Sequence, residues 1–390
     1  MKKNIAILGS TGSIGKCLLK IVKSDLKSFN IVLLSANKNY KKLFVQAKKF
    51  KVKNVILTDK KTFEYVISNH KNNRIRIYND FNHLDKIIKN KIDYTMNSIV
   101  GLDGLDPTLK IIKYSKTIAI ANKETIICGW NLIKKNLDKY RSRFIPVDSE
   151  HFSIWSVINL KKNFNDIEKI YLTASGGPFS NRKFNSLKNI KISQALNHPT
   201  WKMGKKITID SATLINKVFE IIEAKKIFNI NLNTLGILIH PSSYVHALIK
   251  FKNGLINIVA HETSMTIPIF NSLYWQTEKF LKTNSINLSK LNYLNVSYPK
   301  KLNFPLVNLI KAIPKKDSLF ETVLVSANDY LVNLFLDKKI YYIDIIKILL
   351  KICKMKKFTI YKKIAPNTIL EIIDTRNYTI NEIKKLLQNS

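Results

Sequence analysis

The first fifteen residues constrain the fold more than any other part of the chain. Ile5-Ala6-Ile7-Leu8 is a short apolar run, and glycines follow it at positions 9, 12 and 15. This pattern predicts a strand, a tight glycine turn and a helix that begins near Ser13. In such a turn the glycines permit the chain reversal, the approach of a pyrophosphate and close packing of helix on strand, while the helix N-terminal amides face the anion. Ser10, Thr11, Gly12, Ser13 and Ile14 are therefore candidate cofactor contacts. The same spacing also fits a glycine turn in an α/β protein that holds no nucleotide.

The second strand of a dinucleotide fold carries the residues that meet the adenosine ribose, and an acid there selects NAD. Here Ile31-Val32-Leu33-Leu34 ends in Ser35-Ala36-Asn37-Lys38-Asn39, which has no carboxylate. One cation flanked by polar donors suits a 2′-phosphate, so the expectation is NADPH, with Asn37, Lys38 and Asn39 as contacts. Further apolar runs at Asn54-Leu57, Tyr94-Ile99, Thr117-Ile120 and Phe144-Val147 alternate with lysine-rich amphipathic stretches. Runs of that length separated by helix-length segments are the pattern of βαβ units.

The expected class is α/β: an N-terminal Rossmann-like, doubly wound parallel sheet over residues 1–147 that binds NADPH, followed by an α+β catalytic domain over 148–282. The catalytic segment has a Gly-Pro loop at Ser175-Gly176-Gly177-Pro178, a loop-like stretch to Lys206, a helical Ala212–Phe228 and strand-like Gly236–Ile239, Val245–Ile249 and Leu255–Val259. A polar connection near 283–297 leads to residues whose apolar spacing predicts helices at Ser318–Asp337, Asp344–Lys356 and Thr379–Leu387, so 283–390 is expected to be linker and C-terminal helical domain.

Composition narrows the function. Lys+Arg 65 against Asp+Glu 27 gives a net charge of +38, which suggests nucleic acid at first sight. Only Arg74, Arg76, Arg141, Arg143, Arg182 and Arg376 are arginines, however, and the lysines are scattered among Asn and Ile through every region. Base and phosphate-backbone readers favour the guanidinium fork. The expectation is an anionic small molecule without nucleic acid. No run approaches the ~18 apolar residues of a membrane span, and Met1-Lys2-Lys3 leads straight into the first strand. The expectation is therefore a cytoplasmic chain without membrane attachment. Cys17, Cys128 and Cys353 are far apart and outside any metal-binding spacing, which predicts buried, unpaired thiols and counts against a cysteine-dependent semialdehyde dehydrogenase.

Two acids stand two apart in Pro146-Val147-Asp148-Ser149-Glu150-His151. In an extended backbone Asp148 and Glu150 would project to one side and converge on one ion. A third acid, Glu220, lies in Asn216-Lys217-Val218-Phe219-Glu220, where helical spacing puts Asn216, Lys217 and Glu220 on one face. Three hard oxygen ligands suit Mg²⁺ or Mn²⁺. On spacing alone, Asp148 and Glu150 fit loop caps and Lys217–Glu220 a solvated helix pair equally well.

Taken together, Leu8-Gly9-Ser10-Thr11-Gly12-Ser13-Ile14-Gly15, Ala121-Asn122-Lys123-Glu124, Pro146 to His151, Leu172 to Phe179, His198-Pro199-Thr200-Trp201-Lys202-Met203-Gly204, Asp210-Ser211-Ala212-Thr213, Asn216-Lys217, Ile239-His240-Pro241 and Val245-His246 resemble the 1-deoxy-D-xylulose 5-phosphate reductoisomerase family over essentially the whole chain. The resemblance implies an NADPH-dependent homodimer that rearranges a phosphosugar, by retro-aldol cleavage and re-addition, to an aldehyde and then reduces it. It implies that Asp148, Glu150 and Glu220 hold Mg²⁺ or Mn²⁺, with Co²⁺ a further option, and that Ser175, Ser211, Asn216 and Lys217 grip the substrate phosphate. By the same resemblance Ser149 lies near the sugar hydroxyls and Lys123 between nicotinamide and substrate. Asn122, Glu124 and Gly204 join the cofactor contacts. A flap from 175 to 205 closes through His198, Trp201 and Met203. The sequence departs from the family at Asn37, usually glycine, at Val218-Phe219, usually Gly-Leu, and at Glu262-Thr263-Ser264-Met265-Thr266, usually Glu-Pro-Asp-Met-Arg. The last change bears most on dimer contacts.

Overall fold

A computed structural model describes residues 2–69, 74–159, 164–292 and 294–388. The chain forms two compact units. The first comprises Met1–Thr125, Leu132–Asp148 and Met265–Leu281. The second comprises Ile126–Asn131, Ser149–Ser264 and Lys282–Ser390.

The first unit is a seven-stranded sheet of β1 (Lys3–Leu8), β2 (Phe29–Ala36), β3 (Asn54–Leu57), β4 (Arg76–Tyr78), β5 (Ile92–Asn97), β6 (Ser115–Ile120) and β7 (Arg143–Pro146). The order is β4-β3-β2-β1-β5-β6-β7, and every pairing is parallel. Chain order reverses between β1 and β5, the switch point at which α/β sheets bind ligands beyond the strand C-termini. Ile5, Ile7, Leu18, Leu34, Leu43, Val55 and Met96 form its core with Ile269 and Leu273 from the Met265–Leu281 segment. The helix Ser13–Ser24 turns Gly15, Leu18, Leu19, Ile21 and Val22 inward, the 3–4 spacing of a helix laid on a sheet. This is the doubly wound, Rossmann-like sheet that the apolar runs predict. The strand edges fall within two residues of those runs, and the three-residue edge strand β4 is the addition.

The second unit holds the mixed sheet β11-β10-β8-β9, made of β8 (Ile167–Ala174), β9 (Leu235–Ile239), β10 (Val245–Phe251) and β11 (Ile256–Ala260). β10 runs antiparallel to both β8 and β11, and β8 runs parallel to β9. The helix Ile215–Phe228 brings Ile221, Ala224 and Phe228 to a core shared with Ile170, Leu172, Ile237, Ala247 and Ile249. Of the three C-terminal helices, Leu319–Leu336 lies within one residue of its expected limits, Tyr342–Ile352 ends four residues before the expected Lys356, and Ile369–Gln388 begins ten residues before the expected Thr379. Among the described residues Leu319–Leu336 is long and apolar enough to cross a bilayer, but 78% of it is buried within the fold.

Two sequence expectations are corrected here. The expected single helix Ala212–Phe228 is two helices, Lys205–Ala212 and Ile215–Phe228, separated at Leu214, which has φ 63. A buried leucine in the left-handed region breaks the helix where periodicity alone shows no interruption. The loop-like stretch before Lys206 also contains short helical turns at Gly177–Phe179, Phe184–Leu187 and Ile192–Ala195. Cys128 and Cys353 are buried and outside any disulfide, whereas Cys17 is only half-buried, its Sγ 3.4 Å from Thr266 Oγ1.

Candidate active site

Two sets of candidate residues assemble, one in each unit. In the first unit the glycine turn leaves β1 at Gly9, whose φ of +77 only glycine adopts freely. A Cβ on Gly15 would lie 2.6 Å from Ser10 Cα and 2.7 Å from Gly9 O, so the helix sits against the turn at a distance no side chain permits. The Ser10 hydroxyl donates to Gln46 Oε1 at 2.7 Å, while Thr11, Gly12, Ser13 and Ile14 stay at least partly exposed. Within the turn Ser10 N donates to Ser35 O at 2.8 Å and Gly12 N to Gly9 O at 3.1 Å, and the chain then enters a helix N-terminus of the kind suited to a pyrophosphate.

Beyond β2, Asn37 donates to Thr58 Oγ1 at 3.0 Å and Asn39 caps the next helix through its Oδ1, 3.2 Å from Lys42 N. Asn37 is not among the residues of positive φ, so the family's usual glycine is replaced there without backbone strain. Lys38 is exposed, with Asp59 Oδ2 3.9 Å away. Asn122 and Lys123 open the helix Lys123–Tyr140 at the C-terminal end of β6. Asn122 Nδ2 donates to Gly101 O at 3.0 Å and to Ile99 O, but its Oδ1 is buried without a partner. Buried acceptors are seldom left unpaired; this one fits an amide-bearing ligand. Glu124 is buried beside it in the first helical turn. The Lys123 ammonium lies 3.0 Å from Asp148 Oδ2.

In the second unit Ser149–Ile158 is a helix, so Glu150 occupies its first turn. The extended geometry expected to align Asp148 with Glu150 is therefore incorrect. A carboxylate in a first turn is stabilised by the helix N-terminus, and Ser149 and Glu150 continue into a helical rather than a pleated run. What gathers the acids is Lys217. Its ammonium lies 2.9 Å from Glu150 Oε1 and contacts Glu220 Oε2, while Asn216 donates to Glu220 Oε1. Lys217 is buried, so the alternative of a solvated surface pair is excluded. Burial alone would depress its pKa, but the Glu150 and Glu220 carboxylates outweigh burial and hold it above the ordinary value. Two hard carboxylates converging on one cation form a donor set that fits Mg²⁺ or Mn²⁺ as well as an ammonium. The Val218-Phe219 departure is fully buried in this helix and leaves its register unchanged.

Next to it is a hydroxyl and imidazole cluster. His198 Nε2 is 3.0 Å from Ser175 Oγ and 3.1 Å from Ser211 Oγ. Its Nδ1 accepts from the Thr200 and Trp201 amides at 3.2 and 3.0 Å. An Nδ1 that accepts two N–H bonds carries no proton, so His198 is the Nε2–H tautomer and donates toward the serines. Burial lowers its pKa and keeps it neutral. Gly177, at φ +64, packs so closely that a Cβ would stand 3.1 Å from Ser211 O, which locks the Ser175 turn to the Ser211 helix. Trp201 meets the His246 ring edge-on at 6.1 Å, whereas Met203 is half-buried and Gly204 caps the helix Lys205–Ala212.

Three features escape sequence reasoning. His151 is fully buried, with Nε2 2.9 Å from Glu220 O and Nδ1 3.5 Å from Glu223 Oε2. Glu223 follows Glu220 by one helical turn, which is the only local signal for it. His246 and His261 stack with centroids 3.7 Å apart, and burial lowers the pKa of His261. Nothing in the spacing of these two histidines announces their contact.

Three family models match the chain: 1-deoxy-D-xylulose 5-phosphate reductoisomerase over residues 5–129, its C-terminal domain over 144–228, and the DXP reductoisomerase C-terminal domain over 261–380. A protein named 1-deoxy-D-xylulose 5-phosphate reductoisomerase from Pelagibacter ubique is 55% identical over 386 residues, 98% of this chain and 99% of that one. One of the same name from Clostridium tetani is 39% identical over 91% of this chain and 93% of its own. Among solved structures, the reductoisomerase of Zymomonas mobilis in complex with NADPH superimposes with a TM-score of 0.89 at 29% identity, covering both chains completely. A DOX-P reductoisomerase in complex with NADPH, fosmidomycin and magnesium gives 0.88 at 26% identity over 99% and 98% of the two chains. The Rossmann-like parallel sheet and the second unit with its carboxylate–lysine cluster have the fold of solved oxidoreductases in complex with NADPH and magnesium. The chain belongs to the 1-deoxy-D-xylulose 5-phosphate reductoisomerase family.

Proposed function

We infer that this chain is an NADPH- and divalent-metal-dependent oxidoreductase that converts 1-deoxy-D-xylulose 5-phosphate to 2-C-methyl-D-erythritol 4-phosphate, a step of non-mevalonate isoprenoid synthesis. The observation that carries this reading is the 55% identity that runs through the whole chain to a relative of that name. Residues 1–147 bind NADPH through Ser10 to Ile14, Asn37 to Asn39, Asn122 and Glu124. The glycine rim and the orphaned Asn122 Oδ1 support that assignment. Residues 148–282 hold metal and substrate, with 283–390 as linker and helical support.

Glu150 and Glu220 supply two metal ligands. Asp148, two residues before Glu150 in the sequence, is assigned as the third on the family resemblance. When bound, the metal supplies a Lewis acid for the sugar ketone and its neighbouring hydroxyl, and NADPH supplies the hydride. Ser175, Ser211, Asn216 and Lys217 hold the phosphate dianion, and His198 adds its Nε2–H as a neutral donor. Ser149 orients the sugar hydroxyls, Lys123 faces nicotinamide and substrate, and Trp201 and Met203 exclude water as the 175–205 flap closes.

The chain works in the cytoplasm as a homodimer, without nucleic acid or membrane. Support for self-association comes from the edge strand β11, where Ile256 and Ile258 are 55% and 47% exposed. The test is loss of NADPH absorbance on addition of 1-deoxy-D-xylulose 5-phosphate with Mg²⁺ or Mn²⁺, repeated with chelator and with Glu150→Ala. Oxidation that requires metal and disappears in the variant is expected; no oxidation by folded, NADPH-binding protein refutes the reading.

A further inference from the structure

The helix Lys205–Ala212 carries Ser211 at one end and the root of the flap at the other, yet it is only eight residues long. A helix of that length is not stable alone and takes its position from tertiary anchors. One anchor is the Gly177 turn, which packs against the backbone of Ser211 and Ala212. The other is a set of polar side chains. Asp210, buried and adjacent to Ser211, accepts at Oδ1 from Asn328 Nδ2 at 2.7 Å and at Oδ2 from Lys206 Nζ at 2.9 Å. Lys206 Nζ also lies 2.9 Å from Asp329 Oδ1. Asn328 and Asp329 are neighbours in the helix Leu319–Leu336, more than a hundred residues further along the chain.

We propose that Asn328 and Asp329, acting through Asp210 and Lys206, are positioning residues that set the rotation of the Ser211 helix and so aim the Ser211 hydroxyl at the substrate phosphate. Successive helical residues project about 100° apart, so a carboxylate fixed on one side fixes where the next side chain points. Asp210 is fixed by two directional bonds, whereas an apolar side chain would slide. A buried polar network of this kind need not stabilise the fold more than apolar packing would; what it confers is orientation. Lys206 extends the same anchor to the C-terminal end of the flap. The C-terminal helix thereby takes part in substrate recognition without touching the substrate.

This inference rests on Ser211 being a phosphate ligand, and the experiment separates the two claims. Steady-state kinetics on the full chain with Mg²⁺ would compare wild type, Ser211→Ala, Asn328→Leu and the exchanged pair Asp210→Asn/Asn328→Asp, which restores a bond between the two side chains. Ser211→Ala tests the ligand role itself, and wild-type KM in that variant removes both claims. With that role established, Asn328→Leu should raise the KM for 1-deoxy-D-xylulose 5-phosphate by about 10-fold or more, as displacements of about 1 Å do. Its kcat should stay within about 3-fold and its KM for NADPH should not change, and the exchanged pair should recover most of the lost affinity. Should Asn328→Leu fail to fold, Asp210→Leu/Asn328→Leu replaces the polar pair with an apolar one and should show the same rise in KM. Wild-type KM in a folded Asn328 variant overturns the proposal, as does a parallel loss for both substrates that the exchange does not recover.

Discussion

The proposed anion sites of the two units are built in opposite ways. In the first, the proposed site is backbone: a turn with glycines at 9, 12 and 15 that leads from a strand into a helix N-terminus. In the second it is side chain: Lys217, Asn216, Ser175, Ser211 and His198, drawn from three stretches of chain. A backbone site tolerates almost any side chain except where space is missing. A side-chain site built around a buried charge such as Lys217 fails when that charge is removed, because the acids paired with it lose their partner.

The sharpest way to break that comparison is Lys217→Ala. It leaves the buried Glu220 carboxylate and the largely covered Glu150 carboxylate without their shared cation, and should cost about 3–5 kcal/mol of folding stability in urea titration. Added Mg²⁺ should return part of that loss, since the divalent ion takes over the ammonium's role. Stability indifferent to Mg²⁺ would mean that the acids do not form a metal site. The corresponding damage in the first unit is Gly15→Ala, whose methyl group would lie 2.6 Å from Ser10 Cα. Forcing the turn open should cost about 1–3 kcal/mol and raise the KM for NADPH, with the KM for 1-deoxy-D-xylulose 5-phosphate unchanged. If both constants rise together, the two sites are not separable as described.

A smaller effect concerns pH. Burial depresses the His198 pKa below the ordinary 6.5, so below that pH the unfolded chain takes up a proton that the folded chain refuses. The stability that His198 contributes is therefore complete above pH 6.5 and is lost as pH falls through its folded pKa. Thermal melts from neutral to acid pH should show this slope, and His198→Gln should flatten it in part, because His261 is lowered in the same direction. An unchanged slope would mean that His198 is not held neutral. The smallest change in folding stability is expected from Ile258→Lys on exposed β11, below about 0.5 kcal/mol. That substitution should nonetheless convert a dimer to a monomer in sedimentation, and an unaffected dimer would place the interface elsewhere.

The same contrast explains what could be read before folding. The glycine turn, the parallel strands and the three C-terminal helices are local patterns of period and punctuation. The helix start at Ser13 and the limits of Leu319–Leu336 lie within one residue of expectation, whereas Ile369–Gln388 begins ten residues before the expected Thr379. Two strands lay outside that reading. β4 has three residues and little pattern of its own, and β8 is absent from the expected strands although the Ser175-Gly176-Gly177-Pro178 turn directly follows it. Spacing identified Glu150 and Glu220 as candidates but gave the wrong reason, because Glu150 begins a helix rather than lying in a strand.

What the sequence determined by itself is therefore the α/β class, the glycine turn after β1, the presence of a cation and amides rather than an acid after β2, and the residue types proposed as metal and phosphate ligands. Each of these depends on neighbours within one helical turn or one strand. Only the tertiary structure decided that Lys217 is buried between two acids, that His198 carries its proton on Nε2, and that Asp210 is held by Asn328. Those facts depend on residues brought together from distant stretches of chain. Burial sets their electrostatics, and no local periodicity encodes which distant group will be the neighbour.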